Sequence, residues 1–258
     1  MKIRVFPTAE LATVYVAALV ESLITREPHP VLGLATGATP VLLYRQLVAF
    51  HRQGLSFAHV TTINLDEYVG LAPDHPQSYR RFMEEHLFRH VDIPPTQTHV
   101  PNGMAADLAA ECARYDALLA AHPIDLQILG IGHNGHIGFN EPEGALKTRT
   151  HVVTLTAETL RANARYFPDP GAMPRQAITM GLESILQAKA IILMAFGADK
   201  AQIVQAALSG EVSTAVPASF LQMHPNVTFV LDAGACQLLT PPEHWGVSFP
   251  LLEQGQFT

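Results

Sequence analysis

Cysteine is scarce in this chain, with only Cys112 and Cys236 among 258 residues. They lie far apart and lack metal-type neighbours, so a disulfide framework is excluded and a reducing, cytoplasmic compartment is expected. Long apolar runs are missing too. No stretch approaches the length of a membrane span, and the first six residues read as a strand and not as a signal peptide. Basic clusters are absent: 16 Lys and Arg against 23 Asp and Glu leave a formal charge of -7. That balance argues against nucleic acid or anionic membranes as partners, while leaving room for a local basic pocket that takes a small anion. No low-complexity tract, long linker or internal repeat divides the chain. One domain over residues 1–258 is therefore expected.

What is present is ample apolar material, 48% of the residues, arranged as strands alternating with helices. Strands are expected at 2–6, 31–35, 60–65, 98–101, 126–129, 150–155, 190–196 and 227–231. Helices are expected at 9–24, 41–50, 79–90, 107–121, from Thr156 through Arg165, and 200–208. In the first helix Leu11, Val14, Ala18, Leu19 and Ser22 mark one candidate inward face. Thr39 is placed to cap the second helix, with Pro40 at its first position. Alternation of this kind predicts an α/β fold, a three-layer, mostly parallel sheet covered by helices on both faces. Ligands of such sheets bind outside the carboxyl ends of the strands.

Three polar loops fall at such ends. Residues 36–40, TGATP, open a helix whose N-terminus favours an anion. The strand at 60–65 delivers two carboxylates, Asp66 and Glu67. The third loop, 130–142, reads GIGHNGHIGFNEP: glycines 130, 132, 135 and 138 permit tight turns and close backbone approach, and His133, Asn134, His136, Asn140 and Glu141 supply polar groups. Taken alone, Asp66 and Glu67 are as readily a strand-end turn as a catalytic pair. Arg161 and Arg165, one turn apart, can equally be a solvated stripe. His86 and His90 have a spacing that zinc can use, but no third ligand is evident and no metal is expected. Pro168, Pro170, Gly171 and Pro174 give the following segment the composition of a mobile cover, and a lid is expected around 146–182.

Several ordered segments together resemble the glucosamine-6-phosphate deaminase family: LGLATGATP (32–40), NLDEYVGL (64–71), GHNGHIGFNEP (132–142), TLRANARYF (159–167), AITMGL (177–182) and the lysine of FGADKA (196–201). The resemblance implies conversion of glucosamine 6-phosphate and water to fructose 6-phosphate and ammonia, without a cofactor. It implies that Asp66 moves a proton between C2 and C1 of the open-chain sugar, and that His136, oriented by Glu141 and Asn134, opens the ring. An imidazole suits that exchange when its tautomer is fixed. Thr36, Gly37, Ala38, Thr39, Arg165 and Lys200 match the phosphate-binding positions. Many relatives carry Asp where Asn134 stands, while others carry Asn as here. Residues Gly144, Ala145, His151 and Val153 replace the hydroxyl and basic groups with which some hexameric relatives bind the activator N-acetylglucosamine 6-phosphate, so that site is expected to be absent and the oligomeric state stays open between monomer and hexamer. Other readings remain: a galactosamine 6-phosphate deaminase, a 6-phosphogluconolactonase, which lacks the GFNEP ending, or a sugar-phosphate sensor, which needs a DNA-binding segment.

Overall fold

The computed structural model describes residues 1–167 and 173–240. In chain order the elements are β1 (Lys2–Phe6), α1 (Ala9–Arg26), β2 (Val31–Leu34), α2 (Val41–Arg52), β3 (Thr61–Asn64), β4 (Asp66–Tyr68), α3 (Tyr79–His86), β5 (Thr98–His99), α4 (Leu108–Ala121), β6 (Leu126–Leu129), β7 (His151–Thr154), α5 (Ala157–Asn163), β8 (Gln176–Thr179), α6 (Leu182–Leu186), β9 (Ala190–Ala195), α7 (Ala201–Ser209) and β10 (Val227–Asp232). Seven strands form one parallel sheet in the order β1-β10-β9-β6-β2-β3-β5.

Both faces of that sheet are buried, as its short apolar strands require. Along β9, Ile191, Leu193 and Ala195 join one core with Tyr115 of α4, Ile185 of α6 and Val204 of α7. The alternate residues Ile192 and Met194 join the other, with Val16 of α1, Leu47 of α2 and Met83 of α3. The result is the expected three-layer α/β arrangement. From β2 the chain builds outward to β3 and β5, and from β6 outward the other way to β9 and β10. The order therefore reverses between β2 and β6, and a crevice opens at their carboxyl ends.

Some local expectations change. In α1 the buried stripe runs through Ala12, Val16, Val20 and Ile24, whereas Val14 and Leu19 face outward. Apolar residues lie on both sides of this helix, so periodicity alone does not choose the face; packing against the sheet does, with Ala12 and Val16 in one core with Ile192 and Val230. Thr39 does not cap α2. Pro40 already has helical backbone and occupies the cap with no side-chain hydrogen bond, so Thr39 is displaced outward. The helix expected over 79–90 stops at His86 and continues as a 3-10 turn, Phe88–His90. The strand expected at 98–101 is reduced to Thr98–His99.

A second, antiparallel sheet of order β4-β8-β7 was not anticipated. The residues expected as a strand at 150–155 belong to it, and so do Asp66 to Tyr68. The turn-rich residues Pro168, Pro170 and Gly171, and everything after Thr240, lie outside the described residues. No helix among the described residues is long and apolar enough to cross a membrane.

Candidate active site

The crevice at the order reversal is a cavity of about 740 Å³. Thr36, Gly37, Ala38, Thr39, Asp66, Asn134, His136, Arg165 and Lys200 all line it, and only Glu141 of the expected set stands behind the wall.

Asp66 reaches the cavity because the chain turns sharply after β3. Leu65 N–H donates to Leu34 O at 3.0 Å and Leu65 O accepts from Met180 N–H at 2.8 Å, which ties the parallel sheet to the antiparallel one at this residue. Asp66 then pairs with Thr179 in the β4-β8 ladder. Its side chain is desolvated, with the residue 6% exposed, and among the described residues nothing donates a hydrogen bond to its carboxylate. Burial, and then the like charge of Glu67, push its pKa up to about 8. Glu67 points the other way and accepts backbone N–H groups from Tyr68 (2.8 Å), Tyr79 (2.9 Å) and Arg80 (2.9 Å). It thereby ties the N-terminus of α3 to β4, although burial outweighs these donors and raises its pKa to about 7.

The glycine loop after β6 is folded by its own backbone. Gly132 N–H donates to His136 O, and Gly135 N–H to Gly132 O, both at 3.0 Å. A Cβ on Gly132 would overlap the His136 ring, so at this position glycine serves close approach. At Gly138 φ is +58°, and an added Cβ would stand 3.6 Å from Asp66 Oδ2. The loop thus lies directly over the desolvated carboxylate.

Within the loop Glu141 is the hub. Asn134 Nδ2 donates to its Oε2 at 2.6 Å, Thr159 Oγ1 donates to Oε1, and His136 Nδ1 stands 3.4 Å from Oε2, close but not aligned as a hydrogen bond. Asn134 Oδ1 also accepts the His136 backbone N–H at 3.2 Å. Burial raises the Glu141 pKa, but His136, Thr159 and Asn134 outweigh it and hold the carboxyl below the usual glutamate value. The amide at position 134 is therefore a donor to a carboxylate.

Two cations, Arg165 and Lys200, line the same cavity as the 36–39 loop. No hydrogen bond among the described residues uses the backbone N–H of Gly37, Ala38 or Thr39. Lys200 Nζ donates to Ile131 O at 2.9 Å, and its pKa is lowered by burial, with Arg165 adding to the fall against the opposing pull of Asp199. Arg165 lies over the Tyr166 ring, 5.0 Å from its centroid, and donates to the Tyr166 hydroxyl at 3.1 Å. Arg161, its rival in sequence, is exposed and not part of the lining. Two cations and unused amides lining one cavity are the kinds of donor that a phosphate dianion requires.

Sequence reasoning missed the aromatic wall between the two ends. Tyr79 and Phe139 stack at 6.0 Å, Tyr68 lies 5.7 Å from Phe139, and all three line the cavity. Only the motif NLDEYVGL hinted at Tyr68. His133, one of the loop's polar groups, is half exposed and 3.6 Å from Asp199. No group of three or more His, Cys, Asp or Glu among the described residues is placed to hold a metal ion.

Residues 8–230 match the family described as glucosamine-6-phosphate isomerases/6-phosphogluconolactonase. A glucosamine-6-phosphate deaminase of Lachnoclostridium phytofermentans is 52% identical over 216 residues, 83% of this chain and 92% of that protein. Glucosamine-6-phosphate deaminase 1 of Bacillus subtilis is 47% identical over 240 residues, 92% of this chain and 99% of its own length. Among solved structures, one described as a monomeric glucosamine-6-phosphate deaminase superposes with a TM-score of 0.90 at 46% identity, covering 93% of this chain and all of that one. A 6-phosphogluconolactonase from Trypanosoma brucei has a TM-score of 0.73 at 21% identity, covering 93% of this chain and 98% of that one, and shares the fold.

Proposed function

This chain belongs to the family of glucosamine-6-phosphate isomerases and 6-phosphogluconolactonases, and we propose that it is a deaminase within it, converting D-glucosamine 6-phosphate and water to D-fructose 6-phosphate and ammonia. Relatives near 50% identity that carry this name over most of their length support the reading. The observation that carries it is the lining of one cavity by a desolvated carboxylate, an imidazole with a carboxylate behind it, the 36–39 loop and two cations.

The residues divide the reaction among them. The substrate phosphate sits on the amides of 37–39 and the hydroxyls of Thr36 and Thr39, neutralised by Arg165 and Lys200. His136 moves a proton between the ring oxygen and the anomeric hydroxyl, giving the open-chain aldehyde; Glu141 holds the imidazole and Asn134 holds Glu141. Asp66 takes the proton from C2, which the aldehyde acidifies, and returns it to C1 of the enolamine. The resulting C2 imine adds water and expels ammonia, leaving the ketone. A base with a pKa near neutrality suits this transfer because it can both accept and return the proton. Helix α5, whose Glu158, Thr159, Ala162 and Asn163 line the cavity, covers it on one side.

Regulation by N-acetylglucosamine 6-phosphate is not part of this reading. Val153 is buried and offers no group to a surface ligand, Gly144 and Ala145 lack hydroxyls, and the relative at 46% identity is described as monomeric. Hyperbolic kinetics, unchanged by that compound, are expected.

Ammonia release from glucosamine and galactosamine 6-phosphates, measured side by side with hydrolysis of the phosphogluconate lactone, tests the proposal. Faster release from the glucosamine compound is expected. Binding without ammonia release would instead favour a sensor, and turnover of the lactone would favour the lactonase.

A further inference from the structure

Helix α5 turns two polar side chains inward, one turn apart, and each meets a different part of the site. Thr159, 4% exposed, donates through Oγ1 to Glu141 Oε1. Asn163 Nδ2 donates to the Tyr68 hydroxyl at 3.0 Å, beside the strand that carries Asp66. Immediately after α5, a 3-10 turn over Ala164–Tyr166 presents Arg165 to the phosphate end of the cavity. Thr156 fixes the direction of the Thr159 hydroxyl: its Oγ1 donates to Thr159 Oγ1 at 3.2 Å and accepts the Thr159 backbone N–H at 3.3 Å. The proton of Thr159 is thus left for Glu141. The Glu141 side chain is fully enclosed, so without that hydroxyl its Oε1 would lose a donor that water cannot readily replace.

We propose that Thr159 is a positioning residue for ring opening, holding Glu141, and through it the His136 imidazole, on the same short helix that leads into the phosphate-binding Arg165. Asn134 orients one carboxylate oxygen from within the glycine loop, and Thr159 orients the other from the lid side. Capture of the phosphate at the end of α5 and alignment of the ring-opening group are thereby parts of one rigid piece. Neither residue type nor spacing in the loop itself reveals this, because the second anchor comes from 18 residues downstream.

The inference rests on the deaminase reading, and the experiment separates the two. Parent, Thr159→Val and Thr159→Ser enzymes are compared for ammonia release from glucosamine 6-phosphate over a range of pH, and for binding of 2-amino-2-deoxyglucitol 6-phosphate, an open-chain compound with no ring to open. If the parent releases no ammonia, the deaminase reading itself fails. Given an active parent, Thr159→Val should lower kcat roughly tenfold, the scale of one lost hydrogen bond to a charged group. It should also move the acid limb of the pH profile upward, because Glu141 loses a donor to its ionised form, while binding the alditol phosphate as the parent does. Thr159→Ser should restore kcat and the acid limb. A Val variant with parental kcat and acid limb, or one that loses alditol affinity in proportion to kcat, overturns the proposal, and so does a Ser variant as impaired as the Val one. Should Thr159→Val not fold, Thr159→Ala replaces it in the same comparison with Ser.

Discussion

Two carboxylates serve this cavity and are held in opposite ways. Asp66 is desolvated, receives no hydrogen bond among the described residues, and has Glu67 as a like-charged neighbour, so its pKa rises to about 8. Glu141 is at least as buried, yet the groups around it hold its pKa below the usual value. Burial alone therefore does not set the proton affinity of a carboxyl group; donors and neighbouring charges shift it too, though at Glu67 three backbone donors leave the pKa raised to about 7. The first arrangement makes a group that changes protonation near neutral pH. The second makes a permanent anion that can only orient its neighbours.

Removing the proposed proton-transfer group should break the comparison most severely. Asp66→Asn should lower kcat by on the order of a thousandfold, with the affinity for an open-chain substrate analogue retained; a variant near the parental rate would show that the base lies elsewhere. In the parent, the rate of the C2 proton step should climb with pH up to about 8, because only the ionised Asp66 can accept. The stability effect has the reverse sign. A raised pKa means that the folded protein loses stability as pH rises from the usual aspartate value of 3.8 to about 8. Asp66→Asn should therefore melt higher than the parent, by a margin that widens from pH 5 to pH 8 in thermal scans; about 1 kcal/mol of relief corresponds to roughly 2–4 °C in a chain of this size.

Glu141→Gln is the mirror experiment. It should lower kcat by roughly a hundredfold, through loss of His136 alignment and not of a reacting group. Its stability change should be unfavourable at pH 7, about 1–3 kcal/mol for lost charge-assisted hydrogen bonds. Because the Glu141 pKa is depressed, the contribution is present above the usual value of 4.5 and disappears as pH falls through the lower folded value. The gap between this variant and the parent should therefore close in acid. Two similar acid-to-amide changes would then shift the melting temperature in opposite directions at pH 7. Shifts of the same sign would refute the contrast between the two sites.

The phosphate end should respond in KM. Lys200→Ala removes one of two cations from a partly buried position, and KM should rise roughly tenfold to a hundredfold while kcat falls less. An unchanged KM would remove Lys200 from the anion site.

How much of this was legible in the sequence differs between the regions. The parallel sheet was readable because its strands are short apolar runs that alternate with helices, and the three site loops follow from that pattern. The second sheet was not, since β4 is three residues long and its pairing with β8 joins residues more than a hundred positions apart. Asp66 and Glu67 could be seen as adjacent acids. That both are buried, and that only Glu67 receives backbone donors, depends on the turn at Leu65 and on the arrival of α3, neither of which leaves a local pattern. Likewise Glu141 was recognisable by its motif, whereas its anchor on Thr159 comes from α5. The face of α1 was misread because its apolar residues surround the helix and only packing against the sheet selects among them.

The finest test of the contrast changes a neighbour and leaves both carboxylates in place. At position 134 the amide gives Glu141 a hydrogen bond of 2.6 Å. Asn134→Asp would set a second carboxylate at that distance, and two such groups cannot both stay ionised without cost, so the pair must share a proton over some range of pH. Glu141 would then come to resemble Asp66, its proton affinity raised by a like-charged neighbour. The acid limb of the pH profile should move upward by about one unit, while kcat at pH 8, where the pair is largely ionised, should change by no more than about threefold. If the profile of Asn134→Asp superimposes on that of the parent, the amide is not what keeps Glu141 a permanent anion, and the low proton affinity of this site must come from Thr159 and His136 alone.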